Sequence, residues 1–493
     1  MSADDTWSAN SNDTLVLSLV APSETGGLKT VASFHPQFTY TVFGEDEQIF
    51  GYQGLNINLR FNASDMRPNL GVTYSKKFKA IGETEAANIN AILHDCLPEV
   101  AFQKGKEFEA ALQHIPADWT PPGELVTSFT SDKTTYEVWK GNLADLAVNQ
   151  LVKRIQILVP LFIEGGTFIP LDEPDTDRWT IFFLYEKRLV LGAEDNRFSY
   201  IFAGYCTVYR FFLFRAPPTP PASPPRAAAE EHNGGGSSEK ELSLGGEFDL
   251  SQLPCRSRIS QFIVIPPFQG KGLGPRLYGV IFQEYYQYPP TFEITVEDPN
   301  EAFDDMRDIA DLHFLRELPE FNALHIDTGV KIPKDGMAPA NIMDGQACEA
   351  VRRKAKIAPR QFYRVLEMHL MSKLPEPVRP SIAPEKLGVD ATPAQEHEYK
   401  LWRLMVKKRI YVHNKDALGQ LELGERIEKL GETASSVEFD FARLLFKAAA
   451  QKTRLLESSG ADGMVSNGKR KVDGEECDLP AGKRARVESA EEE

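Results

Sequence analysis

Two stretches carry residue types at spacings that suit chemistry. The first is Gln269-Gly270-Lys271-Gly272-Leu273-Gly274, followed by Pro275. Glycines at alternate positions let a backbone reach φ > 0 and approach a ligand closely. Pro275 suits a first helical residue, since its φ is fixed and it has no N–H to leave unpaired. A glycine loop opening onto a helix start points several amide N–H groups at one place, and that place favours an anion. The second stretch is Glu297-Asp298. Glu297 follows the alternating run Phe292-Glu293-Ile294-Thr295-Val296 and falls on the Glu293/Thr295 face. A carboxylate at such a strand end can serve as a general base; a solvated or helix-capping acid is the plainer reading.

The flanking residues say how these stretches are held. Phe262-Ile263-Val264-Ile265 is an apolar, largely β-branched run, as a strand buried on both faces requires, and Pro266-Pro267 end it. After the loop, Leu277, Ile281 and Tyr285 recur at helical spacing, and Pro289-Pro290 stop the helix. Strand, helix and strand in succession predict two parallel neighbours in one sheet. A Walker loop needs Lys-Ser/Thr after its glycines, which is missing here. A dinucleotide fingerprint needs a small residue where Pro275 stands. The acyl-CoA loop of the GNAT acetyltransferases, Gln/Arg-x-x-Gly-x-Gly/Ala, fits at each fixed position. A glycine-rich turn with no ligand stays open on the loop alone.

With 493 residues the chain is long enough for two or three domains. No apolar run approaches the ~20 residues of a membrane span. The polar, acidic residues 1–13 do not read as a secretory signal. The five cysteines lie far apart with no Cys-x-x-Cys, and the nine histidines are scattered, so we expect reduced thiols and no metal site. A net charge of −16 fits solubility alone, or a protein that repels nucleic acid and attracts basic peptides.

Taken in order, residues 1–13 read as a disordered tail. Leu15–Val20, Phe34–Phe43, Leu55–Phe61 and Thr73–Phe78 read as strands, Gly44-Glu45-Asp46-Glu47 as an acidic loop, and Glu83–Leu97 and Lys106–Gln113 as helices. Together they make an N-terminal mixed α/β domain over residues 14–134. Tyr136–Ile157 has helical spacing, and Trp179–Tyr185 and Ser199–Phe214 read as strands. Residues 216–247, rich in proline, alanine and glycine, read as a disordered insertion between two strands of one sheet. The central domain spans 135–318. From 319 to 457 the chain reads as helical, with a break expected near Gly431. Residues 458–493 read as a disordered tail. Its clusters Lys469-Arg470-Lys471 and Lys483-Arg484-Ala485-Arg486, eleven residues apart, suit a bipartite nuclear import signal. The fold class expected is α+β.

Several segments together carry a more specific resemblance. They are Ser260–Val264, Pro267–Gly274, Ile294–Pro299, Phe162-Ile163-Glu164, Gly204–Tyr209 and Phe50–Leu55. They resemble the type B histone acetyltransferase catalytic subunits of the GNAT superfamily, over about residues 14–410. The resemblance implies a central GNAT fold with a mixed twisted sheet between the mixed N-terminal domain and the helical C-terminal one. It implies acetyl-CoA as co-substrate and lysines in the tail of free, newly synthesised histone H-four as acceptors, acetylated before chromatin assembly. It implies a WD-repeat histone-binding subunit as partner, no direct nucleic-acid or membrane partner, residence in nucleus and cytoplasm, and roles in chromatin regulation and DNA repair. A histone escort with a vestigial acetyl-CoA site and a GNAT enzyme with another amine substrate are the alternatives.

The resemblance also implies roles for residues. Only about 10⁻³ to 10⁻⁴ of a lysine side chain is neutral amine at pH 7, a cost of about 4–5 kcal/mol, and a carboxylate base offsets part of it. Glu297 is the implied base, with Glu164 and Asp298 as helpers. Backbone N–H groups of Phe262, Ile263 and Val264 are expected to meet the thioester, because a splayed strand leaves them unpaired. The amides of Gln269, Gly270, Lys271, Gly272, Leu273 and Gly274, up to Pro275, are expected to hold the pyrophosphate, and Asn300 the pantetheine arm. Glu45, Asp46, Glu47, Trp179, Tyr209, Arg210 and Phe211 are expected to flank the histone groove, with Arg210 an awkward neighbour for a basic tail. Direct transfer in a ternary complex is expected, since neither Cys206 nor Cys255 has an evident base beside it.

Overall fold

The computed structural model describes residues 7–23, 26–116, 118–189, 198–213, 253–333, 338–339, 341–382 and 390–460, with side chains described to residue 450. The expected insertion at 216–247 and both basic clusters lie outside the described residues. The chain divides into two units, Met1–Leu445 and Phe446–Glu493. The first is an α+β body and the second contributes the end of a helix.

The N-terminal sheet contains β1 (Leu15–Pro22), β2 (Leu28–Phe34), β3 (Asn56–Asn62) and β4 (Pro68–Thr73), in the order β2-β1-β3-β4. Alternation fixes its faces: Ile57, Leu59 and Phe61 of β3 are fully buried while Asn56, Asn58 and Arg60 are not. The central sheet contains β5 (Glu124–Ser131), β6 (Thr134–Asn142), β7 (Trp179–Leu189), β8 (Phe198–Phe212), β9 (Cys255–Val264) and β10 (Thr291–Val296). These stand side by side in chain order, antiparallel except for the parallel pair β9/β10. The two sheets are tied directly, because Phe202 N–H donates to Ala63 O (2.7 Å) and the Tyr185 hydroxyl to Ser64 O (3.1 Å).

Helices α1 (Leu146–Ile155) and α2 (Leu158–Phe162) link β6 to β7. Helix α3 (Leu273–Gln287) links β9 to β10 and buries Leu277, Ile281 and Tyr285 as their spacing predicts, together with Phe282 and, beyond that stripe, Tyr278. Each such side chain contributes about 1.5–3 kcal/mol by leaving water. The helices that follow are α4 (Glu301–Arg316), α5 (Gly345–Ala355), α6 (Pro359–Lys373), α7 (Pro393–His413) and α8 (Leu423–Gly460). A buried polar knot joins three of them. Tyr278 of α3 donates to Asp311 (2.7 Å), Gln361 of α6 to Asp308 and Asp311 of α4 (3.0 and 2.9 Å), and Arg364 to Asp308 (2.6 Å). The free edge of β10 is covered at Ile294, whose N–H donates to Lys356 O (2.7 Å).

Some local expectations are corrected. Residues 7–13 are not tail: Ser8–Asn10 pairs with Gln48–Phe50, and Trp7 packs edge-on against Phe78, an aromatic anchor that composition alone hides. The strand expected at Phe34–Phe43 ends at Phe34, before Pro36, and Tyr40–Phe43 is a helical turn. The helix expected at Tyr136–Ile157 is strand β6 followed by α1. Tyr136 and Val138 sit at period two, and the break falls at Gly141-Asn142. The hairpin β5/β6 therefore straddles residue 134, where a domain boundary was expected. The helix expected at Glu83–Leu97 is confined to Ile89–His94. Gly431 does not interrupt α8; a glycine inside a helix costs only about 1 kcal/mol against alanine.

Gly204 of β8 stands at a close approach. A Cβ there would lie 2.3 Å from Ile263 O and 3.0 Å from Val264 Cα. Gly204→Ala is expected to force β8 from β9 and lower unfolding free energy by about 1–3 kcal/mol in urea denaturation. Unchanged stability would show that the two strands can separate there without cost.

Candidate active site

The site is made by two strands that part. β9 and β10 pair in parallel only as far as Ile259 and Val296. The last link is Glu297 N–H to Ile259 O, 2.8 Å. β9 runs on to Val264, held on its other side by β8. Ile265 N–H donates to Ala203 O of β8 (3.0 Å) and Ile263 O faces Gly204, so the alternating residues Phe262 and Val264 turn their N–H groups to the side that β10 has left. That edge has no paired strand beyond Ile259 among the described residues. Backbone donors of Phe262 and Val264 thus face the gap between the parted strands, whereas Ile263, expected with them, turns its N–H to β8.

Glu297 stands at the fork, with its side chain about two-fifths exposed (43%). Its Oε2 accepts the Ser260 hydroxyl at 2.5 Å, and Arg258 Nη1 lies 3.4 Å from its Oε1. It lies on the expected face: Arg256 pairs with Glu293, Arg258 with Thr295, and Ser260 meets Glu297. Asp298, beside it, is exposed and held at φ +32°, a region costly for most L-residues and better tolerated by aspartate. Glu164 is exposed in the turn after α2, where Gly165 takes φ +66°. The Gln261 amide ties that turn to β9 by donating to Thr167 O (2.8 Å), while its Oε1 accepts from Tyr205 (3.2 Å). Glu297 is thus held on β9, with Asp298 next to it in the chain, and the segment that follows Glu164 is tied to β9 through Gln261.

The glycine loop lies at the far end of that stretch. Gly270 and Gly272 adopt φ +73° and +71°, and Gly272 caps α3. Space is open around both, so the requirement for glycine is conformational. Gly274 has a packing role too, since a Cβ there would press on Met306 of α4 at 3.2 Å. Pro275 is the third residue of α3, not the first; its missing N–H is still among those with no intrahelical acceptor. Gln269 and Lys271 are exposed; the Gln269 amide donates to Val264 O (2.8 Å), and the Lys271 amine sits 5.0 Å over the Phe268 ring. Leu273 is buried and contributes only its backbone. Asn300 caps α4, its Oδ1 accepting Phe303 N–H (2.9 Å).

The expected histone-facing residues divide. Trp179, Tyr209, Arg258 and Thr295 form one row across the sheet, and the Trp179 and Tyr209 rings lie 4.8 Å apart. Phe211 is on the same face, 4.6 Å from Tyr209 and 4.5 Å beneath the Arg258 guanidinium. The Tyr209 hydroxyl donates to Asp175 (2.7 Å). Arg210 is not with them. It points through the opposite face, toward Lys140, Glu284 and Tyr285, and donates to Asp177 O (2.6 Å). This removes the expected conflict with a basic tail.

The acidic loop divides as well. Glu45 and Asp46 are exposed and follow Tyr40, whose hydroxyl accepts Gly165 N–H (2.9 Å) beside Glu164. Glu47 turns inward, accepting Thr39 N–H (2.8 Å) and the Asn12 amide (2.6 Å). The Thr39 backbone donor holds its carboxyl below the usual carboxylate range. Cys206 is fully buried, and burial pushes its thiol up, as it does that of Cys255; neither is poised as a nucleophile. Arg258 and Ser260 escaped the sequence reading, since only the register between β9 and β10 brings them to Glu297.

Glu47→Ala is expected to destabilise the protein by about 1–2 kcal/mol, and Glu45→Gln with Asp46→Asn by far less. Because the native Glu47 value is lowered, its contribution is full above the unfolded value of about 4.3 and falls as pH drops through the lowered native one. Thermal melts from pH 7 down to 3 check this: the wild-type advantage over Glu47→Ala shrinks on acidification.

Residues 7–164 match the family model described as histone acetyl transferase HAT1 N-terminus, and residues 332–375 that of the C-terminal part of fungal HAT1. Proteins named histone acetyltransferase type B catalytic subunit are similar over nearly the whole chain. The Neurospora crassa protein is 53% identical, covering 99% of both chains. That of Gibberella zeae is 51% identical over 98% of this chain and 99% of its own. That of Aspergillus oryzae is 36% identical over 94% and 90%. The chain therefore belongs to the histone acetyltransferase type B catalytic subunits.

Proposed function

We propose that this histone acetyltransferase transfers acetyl from acetyl-CoA directly to the N6-amine of lysines in the tail of free histone H-four, with Glu297 as general base. The observation that carries the reading is Glu297 at the fork of β9 and β10, with the open edge of β9 leading from it to the glycine loop. The pyrophosphate rests on the amides from Gly270 to Gly274. The thioester lies along Phe262 and Val264, whose N–H groups receive the developing oxyanion. Glu297 takes one proton from the lysine ammonium, the neutral amine so formed attacks the carbonyl, and the amine's second proton leaves with the CoA thiolate as the thiol. Glu164 and Asp298 add negative charge that draws the lysine ammonium in. Trp179, Tyr209 and Phe211 form an apolar wall for the lysine stem and its neighbours. Exposed Glu45 and Asp46 supply acid for a basic tail. Direct transfer is supported by the buried state of Cys206 and Cys255.

By the resemblance noted above, a WD-repeat histone-binding subunit is the partner, and acetylation precedes chromatin assembly in cytoplasm and nucleus. The two basic clusters near the C-terminus support nuclear entry.

Glu297→Gln is expected to lower kcat at pH 7 by about 10²- to 10⁴-fold while leaving acetyl-CoA affinity within about threefold. The loss shrinks as pH rises and more acceptor lysine is neutral. Steady-state kinetics on an H-four tail peptide, with acetyl-CoA titrated calorimetrically, measure both. A wild-type rate at pH 7 removes Glu297 as base.

A further inference from the structure

Ser260 is the one residue of β9 with no counterpart on β8. Thr207 pairs with Gln261 and Val208 with Ile259, so Ser260 forms a bulge, and the Thr207 hydroxyl takes up Gln261 N–H (3.0 Å). Bulges re-aim side chains. This one sits one residue past the last β9/β10 pair, Ile259–Val296. There the Ser260 hydroxyl meets Glu297 Oε2 at 2.5 Å across the fork.

We infer that Ser260 is a positioning residue for the general base: the bulge delivers its hydroxyl to one oxygen of Glu297 and so aims the other at the acceptor amine. This rests on the assignment of Glu297 as base. A glutamate just past a strand end, its side chain 43% exposed, has three rotatable bonds and little packing to choose among their settings. One short bond from a hydroxyl on a strand paired on its far side selects one setting before substrate arrives. Oε2 is thereby occupied, and Oε1 is left with Arg258 at 3.4 Å, beyond the length of a strong charge-assisted bond. Arg258 is itself held over Phe211 at 4.5 Å. Oε1 is thus the oxygen that an incoming lysine can claim and that receives its proton. Ser260 does not touch the reacting atoms, so it acts through Glu297 alone.

A double-mutant cycle on the full chain tests this. Ser260→Ala is expected to lower kcat about tenfold or more, with the acetyl-CoA KM within about twofold and the melting temperature near wild type. Ser260→Thr retains the hydroxyl on a residue that strands favour and is expected to recover most of the rate. In the Glu297→Gln background, Ser260→Ala is expected to change kcat by less than about twofold, because the base that Ser260 aims is no longer there. Wild-type kcat in Ser260→Ala overturns the inference, as does an undiminished Ser260→Ala effect in the Glu297→Gln background or a Ser260→Thr as slow as alanine. Those results leave the base assignment standing if Glu297→Gln alone is slow. A fully active Glu297→Gln overturns the base assignment itself and this inference with it.

Discussion

The site depends on one constraint: β10 stops pairing with β9 at Val296 while β9 continues to Val264. A strand with one edge satisfied by β8 and the other open is a row of unpaired backbone donors and acceptors. In a buried sheet this is costly, and a ligand with an extended polar arm can satisfy it. The same parting turns Glu297 out of the sheet at the root of the cleft. Donors and base are thus set by a single change of pairing. The rest of the body holds that fork in place: Lys356 covers the outer edge of β10, and the α3/α4/α6 polar knot fixes the helix that begins at the glycine loop.

Much of this was legible in the chain. The glycine loop, the flanking apolar strand and the helical stripe after it are local patterns, and the structure has them at those positions, although β9 alternates buried and half-buried residues where burial on both faces was expected. Glu297 could be placed on the right face of β10 by counting alternate residues. Tyr136–Ile157 misled because Val138, Leu143 and Leu146 mimic helical spacing across what is a strand, a turn and a helix start. Tertiary pairing to β5 and β7 decides that segment.

The site residues that were misread share a cause: each depends on a partner distant in sequence. Glu47 looked like its neighbours Glu45 and Asp46 until Thr39 and Asn12 were seen to claim its carboxylate. Arg210 looked continuous with Tyr209 and Phe211, yet strand alternation sends it through the other face, toward Glu284 and Tyr285. Ser260 and Arg258 carried no signal of their contact with Glu297, since nothing in an outward-facing serine and arginine predicts which carboxylate will stand opposite.

Hydrogen–deuterium exchange of the backbone amides of β9, read residue by residue with and without acetyl-CoA, tests the open edge of β9 most directly. Ile263 and Ile265 are expected to exchange slowly in the free protein because β8 holds them. Phe262 and Val264 exchange faster and become protected, together with Gly270 to Gly274, when acetyl-CoA is added. Equal slow exchange of Phe262 and Val264 in the free protein, or no protection on adding acetyl-CoA, would contradict the claim that the open edge of β9 is the acetyl-CoA site.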